Sequence, residues 1–389
     1  MSNLLKDDPT PLDFEVGPIR PPSEARSLLV RVSRNCPWNK CTFCPVYKKR
    51  KFSRRPVDDV EGDIEAMGRV RDRLIEVSAE RGHGGTMTQQ VIHRVMQEAP
   101  LHAGIGQVAL FLSAGGKTVF LQDANSLLLK PPDLARVVRK IKEVFPDVER
   151  ITSYARSQTL ARTPVEGLTE VYEAGLNRIH VGLETGSDTL LARVRKGCTK
   201  DQHIRGGRNV IDAGIELSEY VMPGLGGVAL WEDHADETAD ALNQIDPHFI
   251  RLRSLGLRSG TGLRADFDAA GFDPLDEDGV VREIRRLISG LEGLRSRVVS
   301  DHILNLLEEV EGDLPGDKQR LLDVLDEYLG LPEEDRVMFQ LGRRLGALRS
   351  VRELDAPRTR KQLAPVVAEA LGHPGGPAAL LRELITRFI

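Results

Sequence analysis

Between residues 28 and 255 the apolar positions follow two alternating patterns. Short apolar runs bounded by polar or glycine-bearing stretches read as buried strands, and longer segments with apolar residues three and four apart read as helices. The predicted strands are "SLLVRVS" (27–33), "TVFLQ" (118–122), "RITSYA" (150–155), "RIHVGLE" (178–184), "ELSEYVMPG" (216–224) and "FIRLRSL" (249–255). Between them the spacing predicts helices over 58–80, 86–99, 131–145, 163–175, 200–213 and 234–245. Prolines open the third of these, and glycine stops the fourth. Repeated strand–helix units imply a parallel sheet covered by helices. Six such units predict an α/β fold, a partial (β/α)6 TIM-like barrel, short of the eight units of a closed one.

Beyond about residue 280 the pattern turns mostly helical, with helices expected over 280–295, 317–328, 333–348, 360–371 and 377–388. The expected organisation is an irregular N-terminal extension (1–27), the barrel (28–262) and a helical C-terminal region (263–389). In such folds the chemistry lies at the C-terminal ends of the strands. The loops "QDANS", "YARS", "GLETGS" and "MPGLGG" each follow a strand, so they are expected on one face.

Length and charge narrow the picture. At 389 residues the chain suits one large barrel with an extension, and a formal charge of -4 does not call for nucleic acid. No run reaches the length of a membrane span. The N-terminus, "MSNLLKDDPTPLDF", lacks a basic start followed by an apolar run, so no secretory signal is expected and a cytoplasmic location is.

Four cysteines in so long a chain do not make a disulfide scaffold, yet three of them sit in "CPWNKCTFC", at Cys36, Cys41 and Cys44. Thiolate softness restricts their metal to zinc, copper or iron–sulfur. A structural zinc site wants a fourth ligand. His83, His102, His180, Cys198 and His203 supply none in a compact motif. A [4Fe–4S] cluster on three cysteines leaves one iron open to a small molecule, which a catalytic cluster requires. Cys198, isolated in sequence, reads as a buried thiol.

The chain resembles the radical S-adenosylmethionine (radical SAM) enzymes, in the group that includes Elongator-subunit-3, methylthiotransferase and oxygen-independent coproporphyrinogen oxidase proteins. The resemblance rests on the cysteine loop, "VGLETGSDTLLARVRKGCTKDQ" (181–202), "AGIELSEYVMPGLGG" (213–227) and "IDPHFIRLR" (245–253). It spans about 28–262. The loop departs from the family's usual pattern by one extra residue between the first two cysteines. The resemblance implies that Cys36, Cys41 and Cys44 ligate three irons and that SAM chelates the fourth. An electron from the cluster then cleaves SAM, and the 5′-deoxyadenosyl radical so formed takes a hydrogen atom from a substrate.

It also implies cofactor contacts. Phe43 matches an aromatic set against the adenine, and Glu184 a carboxylate near the ribose or methionine. Ser153 sits on the third strand and Arg156 just after it, where Arg156 suits the methionine carboxylate; Arg195 and Lys196 are further basic candidates. Asp123 stands where the family holds the SAM amine, although the usual glycines are missing. Gly224 belongs to a turn that lets SAM approach the backbone. "SAGGKT" (113–118) is no phosphate loop, because Phe111 stands where a glycine is required.

Tyr220, Arg251 and Arg253 are candidate substrate contacts. The two arginines share strand parity, which points to an anionic substrate. Lys40, Lys48, Lys49, Arg50, Lys51, Arg54 and Arg55 form an acid-free basic run, suited to an acidic electron donor such as a flavodoxin or ferredoxin. The expected cofactors are a [4Fe–4S] cluster and SAM. The cysteine count leaves no conventional auxiliary cluster, and no cobalamin domain is expected ahead of the barrel. The rival reading is a non-enzymatic iron–sulfur carrier or a zinc-stabilised interaction protein.

Overall fold

A computed structural model describes residues 13–98 and 103–385. Among these, ten strands form: β1 (Leu28–Arg31), β2 (Ser33–Arg34), β3 (Ser53–Arg54), β4 (Thr118–Gln122), β5 (Arg150–Ala155), β6 (Leu176–Glu184), β7 (Glu216–Val221), β8 (Phe249–Leu252), β9 (Arg297–Val299) and β10 (Gly312–Asp313). Eight pair in one mostly parallel sheet, in the order β1-β4-β5-β6-β7-β8-β9-β10. The β1/β4, β4/β5, β7/β8 and β8/β9 pairs run parallel, and β10 closes the edge antiparallel to β9. This is the α/β partial barrel with a helical C-terminal region that the sequence predicts. β2 and β3 form a separate antiparallel hairpin whose connection is the cysteine loop.

The strands at 118–122 and 150–155 fall where expected, β1, β7 and β8 are shorter than predicted, and β6 begins two residues earlier. β7 stops at Val221 because Pro223 has no N–H to donate and Gly224 turns left-handed, with φ +87°. The predicted helix at 234–245 begins earlier, at Gly227, with a break at Leu230. Helix Ala103–Ser113 escapes the periodicity argument because it is apolar almost all round and carries two glycines. β9 and β10, three and two residues long, are too short to register as patterns. The predicted helix at 377–388 is described over Gly376–Ile385, and its last residues lie outside the described residues, as do Ala99 and the first twelve residues of the expected N-terminal extension.

The chain divides into two compact units. One comprises residues up to Asn39, Val46–His180 and Asn209–Glu216; the other comprises Lys40–Pro45, Val181–Arg208 and Leu217 onward. In the first, helix Pro131–Val144 lays Leu134, Val137, Val138 and Ile141 along one buried stripe, in a core with Val119, Leu121 and Ile151. Each such side chain contributes about 1.5–3 kcal/mol of hydrophobic stabilisation.

In the second unit the helices over 200–212 and 227–245 cover one face of β7. Leu217 points into that layer, packed so near Gly207 and Ile245 that a side chain on Gly207 would strike both. Strand alternation therefore turns Ser218 and Tyr220 to the opposite, inner face. The register pairs Tyr220 with Arg251, and Arg251 Nε donates to Ser218 Oγ at 3.2 Å. Ser218, Tyr220 and Arg251 thus share one face.

Loops at the ends of β8 and β9 are tied by the buried Asn305. Its Oδ1 accepts from Ser254 N at 3.1 Å and Ser254 Oγ at 2.9 Å, and its Nδ2 donates to Leu252 O and Ser300 Oγ, both at 2.9 Å. Asn305→Ala strands a buried backbone N–H and a carbonyl at once. We expect a loss of about 2–4 kcal/mol, read as a lower denaturant midpoint with an unchanged slope.

Candidate functional site

The cysteine loop is built from its ends inward. Asp123, fully buried just after β4, collects four donors: Arg31 Nε at 2.9 Å and Nη2 at 2.7 Å, the Asn35 backbone N–H at 2.9 Å, and the Tyr47 hydroxyl at 3.1 Å. Arg31 ends β1, Asn35 opens the loop, and Tyr47 follows it. One carboxylate therefore fixes the strand before the loop and both of its ends. Arg31 also pairs with Glu15 at 2.6 Å, and Glu15 takes Arg34 at 2.7 Å. Gln122, next to Asp123, exchanges hydrogen bonds with Gly17 and Ile19.

Cys36, Cys41, Cys44 and Cys198 form no disulfide and are of intermediate exposure. Asn39, in a left-handed conformation with φ +47°, turns its N–H toward Cys36 Sγ at 3.4 Å and donates its side-chain amide to Tyr47 O and Arg50 O. Segment 40–45 belongs to the second unit. There Thr42 N donates to Val194 O and Thr42 O accepts from Leu263 N, both at 3.0 Å. Phe43 packs against the apolar cluster of Leu190, Val194, Leu225, Leu263 and Phe272.

Glu184 ends β6 in a left-handed conformation, φ +64°, and accepts from Lys196 Nζ at 2.8 Å. Gly182 leaves room for this pair, since a Cβ there would meet both side chains. The Lys196 ammonium also lies 5.7 Å from the Phe43 ring centroid. Burial pulls its pKa down, but Glu184 and then Cys41 and Cys198 more than offset this and hold it above the usual lysine value. A fully buried second carboxyl, Glu219, is raised well above the carboxylate range, chiefly by burial.

The "GLETGS" and "MPGLGG" loops are joined by a buried network that the sequence reading missed. His234 Nε2–H donates to Met222 O at 3.1 Å, and Nδ1 faces the Thr185 hydroxyl at 2.8 Å. Gly224 N donates to Glu283 Oε1 at 2.8 Å. Burial pushes Glu283 up to about 8 and His234 down to about 4, so both are neutral at pH 7. Only the helical period around residues 234 and 283 hinted at these positions; nothing marked their polar partners.

The remaining candidates have definite surroundings. Ser153 is buried, with its hydroxyl on Tyr154 O at 3.1 Å. The Arg156 guanidinium lies 5.2 Å from the Trp38 ring centroid. Tyr220 lies 4.3 Å beneath the Arg253 guanidinium, and Arg251 pairs with Asp301 at 2.9 Å. Cys198 Sγ lies 3.1 Å from His203 Nε2. His180 is 3.9 Å from Glu24, and His102 lies outside the described residues. Of the basic run, Lys40, Lys49, Arg50, Lys51 and Arg54 are exposed, whereas Arg55 is buried on Asp63 at 2.6 Å.

Among the described residues no three His, Cys, Asp or Glu side chains are gathered to hold a metal ion as they stand. The donor chemistry nonetheless fits an iron–sulfur group: three reduced thiols in nine residues, one already facing a backbone N–H. No helix among the described residues is long and apolar enough to cross a membrane.

Glu283 yields a pH prediction. Its pKa in the folded chain, about 8, exceeds its unfolded value, so folding binds its proton. The protein therefore loses stability as pH rises from about 4.5 to 8, by at most about 1.4 kcal/mol per unit from this group. Glu283→Gln keeps an acceptor for Gly224 N–H and cannot ionise. Its stability relative to the parent should grow with pH across that window, in urea melts at pH 5, 6, 7 and 8. A constant difference would contradict the assignment.

A C. elegans "CDK5RAP1-like protein" is 24% identical over 196 residues, 49% of this chain and 32% of that relative, so the chain spans about a third of its length. Solved structures that match the chain include Methanocaldococcus infernus Elp3 (13% identity, TM-score 0.38, 47% of this chain and 48% of that one). Coproporphyrinogen III oxidase (HemN) from Escherichia coli matches at 13% identity and TM-score 0.38, over 93% and 89% of the two chains. The sequence model of the Radical SAM superfamily matches residues 30–239, more than half of the chain, from β1 through the helix that follows β7. The chain belongs to the Radical SAM superfamily of enzymes.

Proposed function

We propose that Cys36, Cys41 and Cys44 hold a [4Fe–4S] cluster and that the protein cleaves SAM reductively to begin radical chemistry on an anionic substrate. The observation that carries this reading is the set of three thiols, none in a disulfide, within nine residues of a chain of this superfamily whose fourth cysteine, Cys198, lies against His203. Cys36, Cys41 and Cys44 would hold the cluster, which when bound would supply the one-electron reduction of SAM that begins hydrogen-atom abstraction from a substrate.

The chain's own residues bind and orient. Glu184, steadied by Lys196, accepts hydrogen bonds from the ribose or methionine part of SAM. Phe43 packs its ring against the adenine. Arg156, braced on Trp38, and Ser153 serve the methionine end. The turn at Gly224, held by Glu283, offers backbone to SAM at close range. Asp123 is the proposed group for the SAM amine, and through its four donors it also holds the loop's ends in register. Tyr220, Arg251 and Arg253 face the substrate. Lys49, Arg50, Lys51 and Arg54 attract an acidic electron donor such as a flavodoxin or ferredoxin in the cytoplasm.

The test is an anaerobically reconstituted, dithionite-reduced sample incubated with SAM. About four irons per chain and steady release of 5′-deoxyadenosine are expected. Replacing all three loop cysteines with alanine should lower that release at least 100-fold, whereas Cys198→Ala should keep most of it. Release that survives the triple replacement, or a four-iron protein that never cleaves SAM, would refute the reading.

A further inference from the structure

Three neighbouring strands, β7, β8 and β9, run parallel and deliver their C-terminal ends to the same edge of the second unit. Tyr220 comes from the end of the first, Arg253 follows the second, and Asp301 and His302 follow the third. The two arginines there are not equivalent. Arg251 is neutralised by Asp301 at 2.9 Å and donates its Nε to Ser218. Arg253 has its backbone fixed, N–H on Val221 O at 2.9 Å, and its guanidinium stacked on the Tyr220 ring. Its Nε and Nη2 are buried and meet no hydrogen-bond acceptor in the protein.

Those two atoms form the side-on edge of a guanidinium, whose parallel N–H bonds match the two oxygens of a carboxylate. Donors buried without an acceptor are costly and rare, so an edge of this kind marks a place for a ligand. The nearby imidazole of His302 presents a second buried atom, Nδ1, that meets no protein partner. Burial, then the charge of Arg253, push His302 down to about 4, so it is neutral at pH 7 and can complete the contact without adding charge.

We infer that Arg253 and His302 bind the carboxylate of a small monoanionic substrate, with Arg251 acting as a positioning residue. Geometry favours a carboxylate: the two parallel N–H bonds of the Arg253 edge match its two coplanar oxygens, the Arg251–Asp301 pair cancels, and His302 adds no charge. The inference rests on the radical SAM reading above and deepens it by naming the substrate class.

Binding of benzoate, benzamide and inorganic phosphate to the reconstituted full chain with SAM tests it by calorimetry, with the Arg253 Nε–H resonance as a second readout. Benzoate should bind and shift that resonance. Benzamide, and benzoate on Arg253→Gln, should each bind at least tenfold more weakly, and Arg253→Lys should fall between. Melting of the Gln variant near the parent temperature excludes unfolding as the cause. Equal binding of benzoate and benzamide, tighter binding of phosphate, or full affinity in the Gln variant overturns the proposal. Formation of 5′-deoxyadenosine in the same samples tests the radical SAM reading separately. Its failure with Arg253-dependent benzoate binding removes that reading and supports the carboxylate site.

Discussion

The buried carboxylate of Asp123 is the constraint on which the first unit's functional end depends. A loop with three soft, reactive thiols has little apolar surface to fold around, so its ends need fixing by other means. Asp123 does this with both nitrogens of one edge of Arg31, a backbone N–H at Asn35 and the hydroxyl of Tyr47. A buried charge is tolerable when several donors surround it, and costly to expose by losing one. Glu15 reinforces the arrangement by bridging Arg31 and Arg34.

The second unit solves the same problem differently. Its share of the loop, residues 40–45, is clamped by backbone bonds to Val194 and Leu263 and by the packing of Phe43. The adjacent Glu184–Lys196 pair holds the Lys196 pKa above its usual value, while burial raises Glu219 and drives Glu283 neutral. Polar groups are thus sorted. The Glu184–Lys196 pair lies at a strand end near Cys41, and neutral Glu283 and His234 knit the loops that follow β6 and β7. On the inner face of β7 and β8 the sorting leaves one arginine edge without a protein acceptor, a feature that packing alone does not account for.

Much of this was legible in the sequence. The strand–helix alternation predicted the sheet from β1 to β8, and the parity of Arg251 and Arg253 predicted their shared surroundings beside Tyr220. The cysteine spacing and the "GLETGS" and "MPGLGG" stretches pointed to the superfamily that the comparison establishes. The failures are physical in kind. β9 and β10 owe their existence to pairing with a neighbour, not to any local pattern. The donors that gather on Asp123 were invisible too, because nothing in "QDANS" reveals an arginine arriving from β1. Glu283 and His234 looked like ordinary helix positions, since long-range polar partners leave no periodic trace. The difference between the two arginines depends on Asp301, fifty residues away in the chain.

The central claim is that three loop thiols hold a cluster whose fourth iron is open to SAM. Electron paramagnetic resonance of the reduced, reconstituted protein tests it most directly. The account predicts a reduced [4Fe–4S] signal that changes shape when SAM is added, because the cofactor's amine and carboxylate enter the coordination of one iron. A reduced cluster whose spectrum is indifferent to saturating SAM would contradict it, as would a protein that takes up zinc and no iron.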